Sequence, residues 1–227
     1  MPELYIANKN YSSWSLRPWL LMRERGIDFR EHLLRFGDAP AWDRYRARFA
    51  SGKVPLLVDG DCAVWDSLAI VEYLAERHAG VWPADARARA WARSASAEMH
   101  SGFTELRTQC SMSCGIRVRL RELPAGLRRD LERLQGLWSE GLERFAGPFL
   151  AGAAFSAVDA FFAPVAFRVQ SYSLALEPPA RAYVERLLAL PAMREWYESA
   201  LAERFRDEPH DREILARGTL LEDLRRR

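Results

Sequence analysis

The stretch Ser51-Gly52-Lys53-Val54-Pro55-Leu56-Leu57-Val58-Asp59-Gly60-Asp61-Cys62-Ala63-Val64-Trp65-Asp66-Ser67 decides the fold. It reads as a turn, a short buried strand, a tight turn, a second strand and a helix start. Proline has no N–H and cannot occupy the middle of a central strand, so Pro55 must begin one. An X-Pro step at that place favours a cis peptide, which turns the backbone of Val54 outward. Asp59-Gly60 between two apolar runs is a hairpin signal. Asp66-Ser67 opens the next helix, whose free amides favour an anion. An outward N–H and C=O at Val54, beside that helix start, form a dock for a small extended peptide carrying a carboxylate.

Working outward, Leu4-Tyr5-Ile6-Ala7 is a strand. Leu16, Trp19, Leu20 and Met22 follow at helical spacing, and Gly26 ends that helix. Pro18 fits only inside a first turn, which puts the helix start close to Ser13–Ser15. Asp28 to Leu34 alternates as a strand, Ala41 to Phe49 is a short amphipathic helix, and Ser67 to His78 is a helix. Residues 1–80 therefore read β-α-β-α-β-β-α, a mixed sheet with an antiparallel end, and Ala79-Gly80-Val81-Trp82-Pro83 is a linker. Residues 86–227 carry no strand signal. A long helix is expected from Ala88 to about Arg121, another from Leu127 to Phe145, and the most apolar one from Ser156 to about Leu174. The expected architecture is an α/β unit followed by an all-α unit. Ser156-Ala157-Val158-Asp159 has the form of a capping box, with Asp159 reaching back to the Ser156 amide.

Composition excludes several function classes. Net charge is +2 among 33 basic and 31 acidic residues, which gives no general reason to bind nucleic acid or an anionic membrane. Only Lys9 and Lys53 are lysine. No apolar run approaches the roughly 20 residues of a membrane span, and the start lacks the layout of a signal peptide, so the expected compartment is the cytoplasm. The closing Arg225-Arg226-Arg227 reads as a solvated helix end. Cys62, Cys110 and Cys114 fit reduced thiols, and His32, His78, His100 and His210 show no metal-ligand spacing, so no metal is expected.

The layout, with Val54-Pro55, Asp66-Ser67 and a Ser156-to-Asp159 cap following Phe149-Leu150-Ala151-Gly152, resembles the cytosolic glutathione transferases. That family joins a thioredoxin-like N-terminal domain to a helical C-terminal domain, and the resemblance reaches to about residue 205. Tyr11-Ser12-Ser13-Trp14-Ser15-Leu16-Arg17 looks like the Ser-Ser-Cys-Ser-Trp-Arg segment of the zeta class and is similar to bacterial serine-type transferases. Trp14 stands where the zeta class has Cys, and Phe49-Ala50 stands where Asn-Pro is often found.

A transferase must hold the glutathione thiol as thiolate, the nucleophilic form. Ser12 or Ser13, just before the first helix, can donate to that sulfur; the resemblance implies Ser12 by its spacing to Arg17, and chemistry alone does not separate the two. The resemblance further implies that Val54, after Lys53 and before Pro55, pairs with the cysteinyl backbone, that Asp66 and Ser67 hold the γ-glutamyl end, and that Lys53 meets the glycyl carboxylate. Trp14, Met99, Phe103, Arg107 and Met112 are the candidates for the electrophile site, an apolar wall with one cation. Gly102, in a helix-like run, suggests close approach of a partner helix or a ligand. The implied activity is conjugation of glutathione, the co-substrate, to a hydrophobic electrophile. Isomerisation of a maleyl-type acid and a non-catalytic binding module are the alternatives, and a homodimer is the implied assembly.

Overall fold

The structure, a computed structural model, describes residues 1–226. Its first unit is built on a four-stranded sheet: β1 (Glu3–Ala7), β2 (Arg30–Leu34), β3 (Leu56–Asp59) and β4 (Cys62–Trp65), in the order β2-β1-β3-β4. The β1–β2 pair is parallel, while β1–β3 and β3–β4 are antiparallel. Strand side chains alternate between faces. Leu4 and Ile6 therefore enter the main core, and Tyr5 turns to the other face against Tyr45 and Leu56. Tyr45 lies on α2 (Ala39–Arg48), and the main-core face is covered by α1 (Ser13–Glu24) and α3 (Ser67–Ala75). Pro18 sits a turn deeper in α1 than the first-turn placement expected from sequence, although the helix does start at Ser13.

The second region is helical, as its leucine and alanine spacing implies: α4 (Ala86–Ser101), α5 (Thr104–Gln109), α6 (Ala125–Arg144), α7 (Ala157–Tyr172), α8 (Pro178–Ala189), α9 (Pro191–Ala202) and α10 (Glu208–Arg217). The continuous helix expected from Ala88 to about Arg121 is instead three pieces. Gly102 caps α4 rather than sitting within a helix, and a Cβ there would stand 2.8 Å from the Glu98 carbonyl oxygen. Phe103 takes φ +52, α5 is a short turn of helix, and Ile116–Leu120 is a strand, β5. This β5 pairs antiparallel with β6 (Gly218–Asp223), so the helical region carries a two-stranded ribbon that the absence of strand signals concealed. Ile116 and Val118 are buried and alternate with Arg117 and Arg119, a period-2 pattern masked by its arginines.

At the centre lies α7, buried almost all round, as expected of a helix apolar on every face. It packs on α1, α4 and α8, so a single core joins sheet and bundle. The linker is tied to it: the Ala157 amide donates to the Val81 carbonyl at 2.8 Å. The capping box is present, and Asp159 does more than cap. It accepts from the Ser156 and Leu150 amides at 2.9 and 3.0 Å and from the Tyr183 hydroxyl at 2.8 Å. Lys9 is also buried: its ammonium pairs with Glu31 at 2.9 Å and sits 5.0 and 5.5 Å from the ring centres of Trp19 and Trp196.

Arg225 is not the solvated helix end read from sequence. Its side chain is 7% exposed, it pairs with Asp211 and Asp223 at 2.7 and 2.8 Å, and its stem packs on Gly115. Arg227 lies outside the described residues. No described helix is long and apolar enough to cross a membrane.

Candidate functional site

Between the two units lies a cleft of about 1020 Å³. Its first wall comes from three segments of the α/β unit. The N-terminus of α1 contributes Ser12, Ser13 and Trp14; the turn before β3 contributes Lys53, Val54 and Pro55; the start of α3 contributes Asp66 and Ser67. The peptide bond between Val54 and Pro55 is cis, and neither the N–H nor the C=O of Val54 meets a protein partner among the described residues. Lys53 is exposed at the rim, and its carbonyl is held by the Tyr45 hydroxyl at 2.7 Å.

Asp66 has φ +76, a conformation that most non-glycine residues avoid. There it caps α3: its Oδ1 accepts from the Leu68 and Ala69 amides at 2.8 and 3.4 Å, and its Oδ2 lies 3.4 Å from His100 Nε2. Burial holds the His100 imidazole below its ordinary value, against the pull of Asp66 and with help from Arg17 and Arg107. Ser67 is buried, and its hydroxyl accepts from Arg17 Nη1 at 3.3 Å. The Arg17 guanidinium lies over Trp14 at 4.2 Å and Phe161 at 4.8 Å, and burial pushes its pKa down to about 9.

The two candidate hydroxyls differ in surroundings. Ser12 is buried and its Oγ is 2.7 Å from Ser15 Oγ, which also accepts from the Ala7 amide at 3.2 Å. Ser13, the first residue of α1, is half-buried and has no side-chain hydrogen bond among the described residues. Tyr11 also reaches the cleft, but its phenol is occupied: it donates to Asp211 at 3.0 Å and accepts from Arg225 Nη1 at 2.9 Å. Burial first, then the charge of Asp211, pushes it up to about 12.

The opposite wall belongs to the helical region. Arg107 and Met112 line it, together with Thr104 and Thr108 of α5, Arg168 of α7, and His210 of α10. Two residues expected there do not reach it: Met99 and Phe103 are 1% and 6% exposed and belong to the core, Phe103 packing edge-on to Phe162. One end is closed by stacked rings, with His210 5.2 Å from Tyr11 and 5.1 Å from Phe36, and Phe36 6.2 Å from Trp42. No cluster of His, Cys, Asp or Glu that could hold a metal occurs among the described residues.

The family model for the glutathione S-transferase N-terminal domain matches residues 11–77, and that for the C-terminal domain matches residues 117–199. The chain belongs to the glutathione S-transferase family. It is 25% identical over 199 residues to the glutathione S-transferase class-mu 26 kDa isozyme 1 of Fasciola hepatica, covering 82% of this chain and 85% of that one. A shorter match, 41% over 59 residues, covers 25% of this chain and 22% of the dichloromethane dehalogenase of Methylophilus leisingeri. Among solved structures, a glutathione transferase homologue from Burkholderia with bound glutathione superposes with a TM-score of 0.64 at 23% identity, covering 88% of this chain and 97% of that one. The glutathione complex of Ure2p superposes at 0.65 with 14% identity, over 87% and 93% of the two chains. These last two likenesses concern the fold.

Sequence reasoning missed Arg168, His210 and the α5 threonines. Arg168 did leave a signal, since a lone arginine within the apolar run Phe161–Val169 is a buried charge that needs a reason. His210 left none, because only the tertiary path of α10 brings it to the cleft.

Proposed function

We propose that the protein is a glutathione transferase that joins the glutathione sulfur to an electrophile. The observation that carries this reading is the unpaired backbone of Val54, facing the same cleft as the starts of α1 and α3. An extended tripeptide would pair with Val54 as a strand pairs with an edge, its γ-glutamyl carboxylate at the Ser67 end of α3 and its glycyl carboxylate near Lys53. Its thiol would then lie toward Ser12 and Ser13. Ser12 is the proposed donor, by its spacing to Arg17 and with Ser15 Oγ 2.7 Å away. Ser12 donates to Ser15 in this structure; with the sulfur in place the Ser12 hydroxyl would turn its proton to it, and Ser15 would then take the donor role toward Ser12. The thiolate then attacks the electrophilic carbon, a C–S bond forms, and the leaving group departs with its bonding pair. The apolar body of the electrophile would lie against Trp14, since Met112 lines the cleft but is 2% exposed.

Lowering a thiol pKa from about 8.5 to about 6.5 takes about 2.7 kcal/mol of preferential thiolate stabilisation. Because nucleophilicity falls with pKa, the net gain in reactive thiolate at pH 7 is only about threefold. Positioning of the second substrate in the cleft therefore supplies most of the acceleration. As in the family at large, the working unit is proposed to be a homodimer.

Calorimetry with glutathione, followed by turnover of 1-chloro-2,4-dinitrobenzene, tests the assignment. Saturable heat and conjugate formation are expected. Binding without turnover of any electrophile would make the protein a binding module, and no heat at millimolar glutathione would remove the site.

A further inference from the structure

The helical wall of the cleft is not the apolar surface that its methionine and phenylalanine implied. Met99 and Phe103 turn into the core, and the cleft receives Thr104 and Thr108 beside the expected Arg107. These sit at i, i+3 and i+4 on α5, so one helix face presents two hydroxyls and a cation. Arg168 joins them from α7. Resting on the transferase reading above, we propose that this wall receives a carboxylate on the second substrate, so that the electrophile is an organic acid with an apolar body.

Three observations carry it. Neither Arg107 nor Arg168 has a carboxylate within 4.0 Å among the described residues, although Arg168 is 4% exposed. A buried guanidinium without a counter-ion is unfavourable unless a ligand supplies one. Next, each is oriented by backbone carbonyls along part of its fork and makes no other hydrogen bond among the described residues. Arg168 Nε donates to the Cys110 carbonyl at 2.8 Å and Nη1 to the Pro164 carbonyl at 3.3 Å, while Nη2 meets no protein acceptor among the described residues. Arg107 Nη1 donates to the carbonyls of His100 and Gly102 at 3.1 and 3.3 Å, and its Nε and Nη2 are likewise without an acceptor there. Third, the acids that line the cleft are committed elsewhere: Asp66 to the α3 amides and His100, Glu213 to the Ser111 hydroxyl at 2.9 Å.

Glutathione itself does not account for the pair. Its two carboxylates are assigned to the Lys53 rim and the Ser67 helix start, and of the cleft arginines it is Arg17 that hydrogen-bonds Ser67. Arg107 and Arg168 stand on the other wall. Burial lowers Arg168 to about 10, and Arg107 and Arg168 each depress Arg17, so the cations share one region of positive potential. Arg107 also lies 4.8 Å from the Trp14 ring centre, which places cation and apolar surface side by side, as an amphiphilic acid requires.

The test compares two glutathione conjugates of equal shape, made from 4-chloro-3,5-dinitrobenzoate and from its carboxamide. Calorimetry measures both against the wild-type protein and Arg107→Gln, a substitution at a half-buried position. The carboxylate conjugate is expected to bind about tenfold tighter, the scale of a charge-assisted hydrogen bond. Arg107→Gln is expected to cut that ratio at least threefold. Equal affinities in the wild type, or a ratio untouched by Arg107→Gln, overturn the proposal. Glutathione titrated alongside separates the failures: heat with glutathione but equal conjugates removes the acid receptor alone, whereas no heat with any of the three removes the transferase reading with it.

Discussion

At the residue scale, three hydroxyls at the head of α1 stand in different surroundings. Ser12 faces the cleft, Ser15 stands behind it at 2.7 Å, and Ser13 is on the rim without a partner among the described residues. A hydrogen bond to a charged sulfur is worth about 1.5–3 kcal/mol, so Ser12→Ala should lower kcat/KM by about ten- to a hundredfold. Ser13→Ala should change it by about twofold or less, since a half-exposed hydroxyl without a partner contributes little. Ser15→Ala separates positioning from packing. A thiol pKa held down by the site gives activity that rises with pH through that pKa, so losing Ser15 should move the inflection of the pH–rate profile upward. A merely structural Ser15 would lower stability and leave the inflection in place. Thiolate absorbance of the bound complex as a function of pH checks all three.

Among the elements, α7 holds the two units together, and its first turn is held by Asp159. Removing that carboxylate leaves the Leu150 and Ser156 amides and the Tyr183 hydroxyl without their acceptor, all of them buried. Asp159→Ala should therefore destabilise by about 3 kcal/mol or more, above the ~1 kcal/mol of an exposed cap. Burial raises the Asp159 pKa to about 6 despite its donors. A raised acid pKa means the folded state holds the proton longer. Its contribution is fully present below the unfolded pKa near 4 and is lost as pH rises through about 6. Urea unfolding of wild type and Asp159→Asn between pH 4 and 7 should show the stability difference shrinking in that direction. The same helix shows what sequence can and cannot reveal. Local chemistry made it legible: the Ser-to-Asp spacing, the apolar run from Ala160 to Phe167, and likewise Pro55 opening β3 and Asp59-Gly60 closing its hairpin. The ribbon β5–β6 was not, because its strands lie about a hundred residues apart and β5 hides its alternation under arginine stems. Nor was the composition of the cleft wall. That depends on the break between α4 and α5, where Gly102 ends one helix and a left-handed Phe103 starts the next, leaving Phe103 in the core and Arg107 at the cleft.

For the molecule as a whole, the chain end returns to its beginning. Arg225 pairs with Asp211 and Asp223 and donates to the Tyr11 hydroxyl, so the tail, α10 and the head of α1 form one network beside the cleft. Arg225→Leu leaves Asp211 partly buried without its cation and should destabilise by about 2 kcal/mol. Asp211→Leu in the same chain should recover part of that loss, and chemical denaturation of the singles and the double measures the coupling. Lysine usage has its own consequence at this scale. Lys9 is shut between two indoles and Glu31, and the only other lysine, Lys53, is exposed at the cleft mouth. Acylating reagents thus find one exposed ε-amine on this arginine-rich surface, and it stands at the mouth of the cleft. A fluorophore ester coupled at mildly alkaline pH, with Lys53→Arg as the control for labelling of the exposed Met1 α-amine, would footprint occupancy there without any engineered cysteine.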